Sequence, residues 1–341
     1  MRTPEEPRRI LVTGGAGYIG AHVCRALAAS GFQPVVFDNL SHGHAWAVRW
    51  GPLETGDLID GARLDEVFRQ YRPRAVIHLA GLIAAGDSVI DPGLFYHNNL
   101  AATLTLLDAM RSNGVDRLVF SSSAGVYGEP ETIPIPESHP FRPVNPYGAT
   151  KAMVERVLAD FATAYGLRSV ALRYFNAVGA APDSGIGEAH PHETHLVPLV
   201  LDAAAGIRPF IEIFGSDFST PDRTCIRDYV HVSDLADAHV LALSRLDQAI
   251  GAESFNLGSE TGASVRQVID MAIKVTERPI DARMSPRRAG DPAILVADSS
   301  LAKSVLGWRP VYATLEQQIS TAWDWHKRYR LVDSRCAAPA S

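Results

Sequence analysis

Ile10-Leu11-Val12-Thr13-Gly14-Gly15-Ala16-Gly17-Tyr18-Ile19-Gly20 is the stretch that decides the fold. Its apolar start, Ile10-Leu11-Val12, reads as a buried parallel strand. Glycines then recur at 14, 17 and 20, a GxxGxxG variant of the dinucleotide-binding turn. Such glycines allow the tight turn, the close approach of a pyrophosphate and the packing of helix on strand. A helix should follow through about Ala29, with its N-terminus directed at the phosphates. A glycine-rich turn alone is weak evidence; the strand before it and the helix after it supply the required context.

Working outward, Val35-Val36-Phe37-Asp38 reads as a second strand ending in an acid eighteen positions after Gly20. Asp38 is expected to accept hydrogen bonds from the adenosine ribose and to repel a 2′-phosphate, which favours NAD over NADP. Asp57, after Gly56, is expected to reach the adenine. Ala75-Val76-Ile77-His78-Leu79-Ala80-Gly81 reads as another buried strand, and its Leu79-Ala80-Gly81 end lets a cofactor approach the backbone. Further strands are expected at Arg117 to Ser121 and Ser169 to Tyr174. A long helix is expected from about Leu94 to Asn113, with Asn98 and Asn99 as odd polar choices near its start. Strand and helix patterns thus alternate from Ile10 to about Phe175, the signature of an α/β fold built on a doubly wound parallel sheet of the Rossmann type.

Tyr147-Gly148-Ala149-Thr150-Lys151 carries the chemistry. Residues Met153, Val154, Val157, Leu158 and Phe161 recur at helical steps, and Gly166 reads as a C-cap. Positions i and i+4 share a face, so Tyr147 and Lys151 meet. A free tyrosine titrates near pH 10, and an adjacent ammonium favours its phenolate. Reaching about 7 needs roughly 4 kcal/mol of differential stabilisation, at about 1.4 per unit. A lysine and a nicotinamide cation in a dry site together are expected to supply it. The phenolate could then take a hydroxyl proton while hydride leaves the same carbon. Ser123, from Ser121-Ser122-Ser123, would hydrogen-bond the reacting oxygen and hold it in line.

After Phe175 the texture changes. Gly179 to His195 is rich in Gly, Pro, His and Glu and reads as a loop of functional length. Helices are expected at about Leu196 to Ala205, within Tyr229 to Leu246, at Ser264 to Thr276 and at Thr314 to Tyr329. Strands are expected near Ile211 to Phe214 and Ser254 to Leu257. The division expected is a nucleotide-binding part over 1–176, with elements near 229–246 returning to it. A smaller mixed α/β substrate part follows over 177–331, and then a tail over 332–341.

The chain has 341 residues and a net charge of −6. Without a basic run or aromatic–basic interleaving, nucleic acid is not an expected partner. No apolar run approaches the length of a membrane span, about 18 residues or more. Residues 1–9 lack the apolar core of a secretory signal. Cys24, Cys225 and Cys336 are scattered, which fits a reducing cytoplasm rather than a disulfide framework. His190-Pro191-His192-Glu193-Thr194-His195 is not an HExxH motif, because His192 and His195 are three apart. It is read as a polar loop or substrate lid, with no metal expected.

With these motifs in place, the sequence resembles the extended short-chain dehydrogenase/reductase superfamily and, within it, the UDP-glucose 4-epimerase family. The resemblance spans about residues 9 to 328. It rests on VTGGAGYIG, VVFDNLSHGH, SSSAGVYGEP, NPYGATK, LRYFNAVGA, IRDYVHVSDLADAH, FNLGS and RRAGDP. It implies that Tyr147 is base and acid, that Lys151 tunes it and anchors the ribose, and that Ser123 meets the sugar oxygen. The implied NAD contacts are Gly14, Gly17, Tyr18, Ile19, Gly20, Asp38, Asn39, Leu40, Ser41, Gly43, Asp57, Leu58, Leu79, Ala80, Gly81, Ile83, Asn98, Ser121, Tyr147, Lys151 and Phe175. The implied UDP-sugar contacts are Ser123, Tyr147, Asn176, His195, Leu196, Glu212, Ile213, Phe214, Arg227, Arg288, Asp291 and Leu295. Two arginines can fork onto a pyrophosphate, and Asp291 can accept from a uridine ribose. The resemblance also implies tightly bound NAD, recycled every turnover, and a homodimer built on two helices of each subunit.

Three departures from the family pattern stand out. Ile83 replaces a lysine that some members carry near the cofactor phosphates. His195 stands where others have Asn, and Glu212 is charged where a small residue would serve. Leu295 faces the sugar pocket in the family. Its intermediate size implies that UDP-glucose and UDP-galactose are preferred over N-acetyl sugars. Dehydratases and decarboxylases on this scaffold need an acid just after the Ser/Thr, and here Ala124-Gly125 follows Ser123. Epimerisation of another UDP sugar and a non-catalytic NAD-binding scaffold are the remaining alternatives.

Overall fold

A computed structural model describes residues 8–190, 192–288 and 291–330. The tail expected over 332–341, and Cys336 within it, lie outside the described residues.

The opening stretch folds as read. Strand β1 (Arg9–Thr13) runs into helix α1 (Tyr18–Ala29), and the chain returns as β2 (Gln33–Asp38) and β3 (Leu53–Thr55). Helix α2 (Gly61–Tyr71) precedes β4 (Ala75–His78), and helices α3 (Ala85–Ile90), α4 (Pro92–Phe95) and α5 (Ala102–Ser112) follow. Strand β5 (Arg117–Ser123), helix α6 (Pro146–Tyr165) and strand β6 (Arg168–Tyr174) complete this part. Beyond it come β7 (Asn176–Val178), α7 (Leu196–Ala204), β8 (Ile211–Phe214), β9 (Ile226–Arg227), β10 (Tyr229–His231) and α8 (Val232–Arg245). The last elements are β11 (Ala252–Leu257), β12 (Ala263–Ser264), α9 (Val265–Thr276), β13 (Ala282–Ser285), β14 (Ile294–Leu295) and α10 (Leu315–Trp325).

Seven strands form one parallel sheet in the order β11-β6-β5-β4-β1-β2-β3. The order reverses at β1, where a doubly wound sheet opens the crevice that takes a ligand. Strand β11 is the edge strand of this sheet, paired with β6 from Ala252↔Ser169 to Leu257↔Tyr174. Its residues lie some 80 positions beyond β6 in the sequence, past the expected division at residue 177.

Alternate side chains of one strand feed two cores, as the pleat requires. Ile10 and Val12 face Val23, Cys24 and Leu27 of α1 together with Leu235, Ala238 and Ala242 of α8. Leu11 faces the other way, with Leu64 and Phe68 of α2, Leu106 and Met110 of α5, and Val154 and Leu158 of α6. A third core joins α7, β8, α9 and α10 through Val200, Ile213, Val268, Ile319 and Trp323. Helices α9 and α10 both open on capping boxes, Ser264 with Gln267 and Thr314 with Gln317. Among the described residues, no helix is long and apolar enough to cross a membrane.

The helix expected from Leu94 to Asn113 is a run with a π segment, Tyr96–Ala101, between α4 and α5. That wider turn points Asn98 and Asn99 to different tasks. Asn98 lines the main cavity. Asn99 is buried and bonds both backbone groups of Leu82, accepting from N–H at 2.8 Å and donating to C=O at 3.0 Å. It also donates to Thr150 Oγ1 at 3.2 Å, which ties the loop after β4 to α6.

Candidate active site

The glycine turn is set by contacts that no side chain could share. Gly14 has φ +72°, and a Cβ there would sit 2.6 Å from the Ala80 nitrogen. A Cβ on Gly20 would lie 2.1 Å from the Gly14 carbonyl oxygen. Gly17 caps α1 without any side-chain bond, so the first-turn N–H groups of the helix stay available to an anion. Asp38, at the end of β2, accepts from Ala16 N at 3.0 Å and from Leu40 N at 2.8 Å. Those bonds fix its carboxylate at the rim of the turn.

Helix α6 brings in the tyrosine and lysine. Pro146 occupies its first turn, and Asn145 Oδ1 accepts from Gly148 N at 2.9 Å. Gly148 lets the helix start close to the end of β5, since a Cβ there would sit 2.3 Å from the Gly125 oxygen. One turn on, buried Lys151 donates from Nζ to the Ser121 carbonyl at 2.8 Å. The same ammonium lies 5.9 Å from the centre of the Tyr147 ring. Ser123 ends β5, and its Oγ accepts from Gly125 N at 3.1 Å.

Burial lowers the Lys151 pKa to about 8, against the pull of Glu155 that raises it. At neutral pH the group remains an ammonium. Burial pushes the Tyr147 phenol above its ordinary value, while its bond with Ser123 acts the other way. Burial thus disfavours the phenolate, and a further positive charge beside Tyr147 would favour it. A cationic ring would supply such a charge, which agrees with the glycine cradle and the uncapped helix end.

All of this opens on one cavity of about 610 Å³. Ser123, Tyr147 and Lys151 line it. So do Gly14, Gly17, Tyr18, Ile19, Gly20, Asp38, Asn39, Ser41, Gly43, Asp57, Leu58, Leu79, Ala80, Gly81, Ile83, Asn98, Ser121 and Phe175. At its other end lie Asn176, His195, Leu196, Arg227, Asp291 and Leu295. Arg227 is held there by donating to the Ile226 and Pro292 carbonyls, both at 2.9 Å, and it faces Asp291 at 3.6 Å.

Five residues expected at the site lie outside this lining: Leu40, Glu212, Ile213, Phe214 and Arg288. Ile213 is buried in the third core. Glu212 instead accepts from Ser285 Oγ at 2.7 Å, and the Arg288 guanidinium stacks 3.8 Å above the Phe214 ring. Of the two arginines expected to fork onto a pyrophosphate, only Arg227 reaches the cavity wall.

Sequence reasoning passed over several residues that the fold brings in. His78 bridges Thr13 at 2.7 Å and Thr103 at 2.8 Å, and burial drops its pKa to about 3, so it is neutral. Tyr18, expected from the sequence at the cofactor, also donates to the Gly179 carbonyl at 2.6 Å, tying α1 to the start of the polar loop. Glu188 was given no role, yet it meets His190 and His195. A glutamate two residues before a histidine is the one sequence signal for it.

The chain is similar to known proteins along most of its length. The family model for the NAD dependent epimerase/dehydratase family matches residues 10–258. A UDP-glucose 4-epimerase of Rhizobium meliloti (strain 1021) is 51% identical over 319 residues, covering 94% of this chain and 97% of the relative. The crystal structure of a Brucella ovis UDP-glucose 4-epimerase in complex with NAD is 50% identical with a TM-score of 0.90, covering 93% of this chain and 97% of that one. A Bifidobacterium longum UDP-glucose 4-epimerase, solved with NAD+ and UDP, is 37% identical with a TM-score of 0.90, covering 94% and 99%.

Proposed function

The chain belongs to the NAD dependent epimerase/dehydratase family, and from that membership we propose that it interconverts UDP-glucose and UDP-galactose. The observation that carries the proposal is the convergence of Ser123, Tyr147 and Lys151 on the cavity that the Gly14–Gly20 turn and Arg227 also enter. Bound NAD supplies reversible hydride acceptance, so the sugar C4 can be oxidised and then reduced on its other face. Ser123 orients the C4 oxygen, and Tyr147 takes the hydroxyl proton as hydride leaves that carbon, later returning it. Lys151 holds Tyr147 toward the phenolate and meets the ribose.

Binding energy belongs on the UDP end, because the sugar must turn over between the two half-reactions. Asn176, His195, Leu196, Arg227 and Asp291 are assigned that work. The NAD end falls to residues 1–176 with the helix at 229–246 packed on them, and the UDP-sugar end to the rest of 177–331. Ala124-Gly125 after Ser123 lacks the acid that elimination chemistry needs, which favours epimerisation over dehydration. The test is incubation of purified protein with UDP-galactose and no added NAD. UDP-glucose should form; no turnover, even with NAD added, would overturn the reading.

Leu295 lines the cavity, and we assign it to limit the space beside the sugar. UDP-glucose and UDP-galactose are expected to show the higher kcat/KM, with the N-acetyl sugars slow. Equal kcat/KM for the two substrate pairs would remove Leu295 from the specificity argument.

The protein is further assigned to the cytoplasm, where free thiols such as Cys24 and Cys225 persist. It is assigned as a homodimer through the helices at 94–113 and 147–165. Leu94, Leu104 and Met153 expose apolar side chains on those helices, which supports the assignment. Sedimentation should give twice the chain mass, and Met153→Glu should lower it; a monomeric parent protein would end the assignment.

A further inference from the structure

The polar loop holds a group of side chains of which the proposed reaction uses only His195, at the UDP end. Glu188, His190, Glu193 and His195 place their ligand atoms all within 4.8 Å of one another. Glu188 Oε1 lies 3.3 Å from His190 Nδ1, and His190 Nδ1 lies 3.4 Å from Glu193 Oε2. His195 Nδ1 bonds Glu188 Oε1 and stands 3.9 Å from Glu193 Oε1. A zinc-like cation with donors at about 2.0–2.1 Å spaces neighbouring donors by roughly 3.3 Å, the edge of a tetrahedron. The separations at His190 already match that edge.

We propose that Glu188, His190, Glu193 and His195 form a divalent-cation site of the Zn²⁺ type in the wall of the main cavity. The donor set is two imidazole nitrogens and two carboxylate oxygens, which suits a borderline-soft cation better than Mg²⁺ or Ca²⁺. Two carboxylates and two neutral imidazoles balance the charge of one such cation. The Glu193 carboxylate is already oriented. Glu193 Oε1 accepts from Thr194 N at 2.8 Å and His195 N at 2.9 Å, which leaves Oε2 turned to His190. The Ala189 carbonyl is bonded by His44 at 2.5 Å, and Tyr18 stands edge-on to His190, with ring centres 6.4 Å apart. Such outer contacts orient ligands toward a metal.

His190 and His195 also line the cavity, and His195 is the N-cap of α7. A bound cation would clasp the loop at 188–190 to the start of that helix and fix this part of the cavity wall. The proposal does not rest on the reaction assigned above, and its test reads metal binding directly.

The experiment uses the full chain, freed of any affinity tag and stripped with a chelator, titrated with Zn²⁺ by calorimetry. One equivalent should bind per chain, and Co²⁺ in its place should give the visible absorption of tetrahedral coordination. Glu188→Gln and His190→Ala should each weaken binding by about 100-fold or more. His192→Ala, which alters a histidine outside the set, should leave binding unchanged. Circular dichroism of each variant reports whether it folds, and His195→Gln replaces any variant that does not. Absence of stoichiometric binding would overturn the proposal and leave a hydrogen-bonded ion cluster. So would affinity that Glu188→Gln and His190→Ala leave intact, or binding abolished by His192→Ala.

Discussion

Tyr147→Phe is expected to lower kcat by about 10²–10⁴-fold, the range for removing a positioned general acid–base group. The phenyl ring preserves the volume at the start of α6, so the fold and the cofactor cradle should survive. NAD released on denaturation should match the parent protein, and KM should change little. A loss confined to kcat marks a group used in the transition state rather than in ground-state binding. The size follows from the site. In the proposed reaction the Tyr147 oxygen both takes and returns the C4 proton, and Ser123 bonds it while the Lys151 ammonium lies 5.9 Å from its ring centre. A variant that keeps kcat and raises only KM would move Tyr147 from the chemistry to binding, and the proton would need another carrier.

Arg173→Met is expected to destabilise the fold by about 3–5 kcal/mol, the cost of leaving a buried partner unpaired. Arg173 projects from β6 toward α6 and is buried with Glu155. Its Nη2 donates to Glu155 Oε2 at 2.6 Å and its Nε to Oε1 at 3.0 Å, a fork onto one carboxylate. Nη1 donates to the Tyr127 hydroxyl at 2.9 Å and the Glu137 carbonyl at 3.0 Å. Burial opposes the charge on Arg173, but bonding to Glu155 outweighs it and raises the pKa. Methionine keeps the apolar stem and removes every one of those donors, so Glu155 keeps the Ser122 hydroxyl but loses its buried countercharge. The midpoint of urea unfolding should fall sharply. The double change Arg173→Met with Glu155→Leu should recover part of the loss, because no buried charge then remains. A single-variant loss below about 1 kcal/mol would place the pair among ordinary surface bridges. Glu155 lies one helical turn beyond Lys151, so the pair also sets how α6 presents that lysine.

The glycine turn, its strand and its helix were legible because each is encoded locally. Spacing at 14, 17 and 20 requires a backbone that side chains would block, and the clash at Gly20 with the Gly14 oxygen is that requirement in space. Tyr147 and Lys151 were legible for a similar reason, since i and i+4 share a face of any helix. Gly166 as a C-cap follows from its left-handed φ of +73°, which glycine reaches without cost.

Other features could not be read from neighbours in the chain. Strand β11 joins β6 across a long stretch of intervening sequence, and its six residues read alone fit either part of the molecule. Asn99 looked like a misplaced polar residue until the π turn aimed it at Leu82 and Thr150. The strand Glu212-Ile213-Phe214 is expected at the nucleotide by its edge; what the sequence did not show is that its alternation buries Ile213 in the third core.

The sequence by itself determined the α/β class, the parallel sheet of the first half, the turn for a dinucleotide and the Ser123, Tyr147 and Lys151 set. These depend on the periodicity of short segments and on steric limits within a few residues. Only the tertiary structure decided that β11 forms the sheet edge, that Arg227 lines the cavity, and that Glu188 meets His190, Glu193 and His195. Those pairings are set by how loops fold back over a packed core, and no local pattern carries that information.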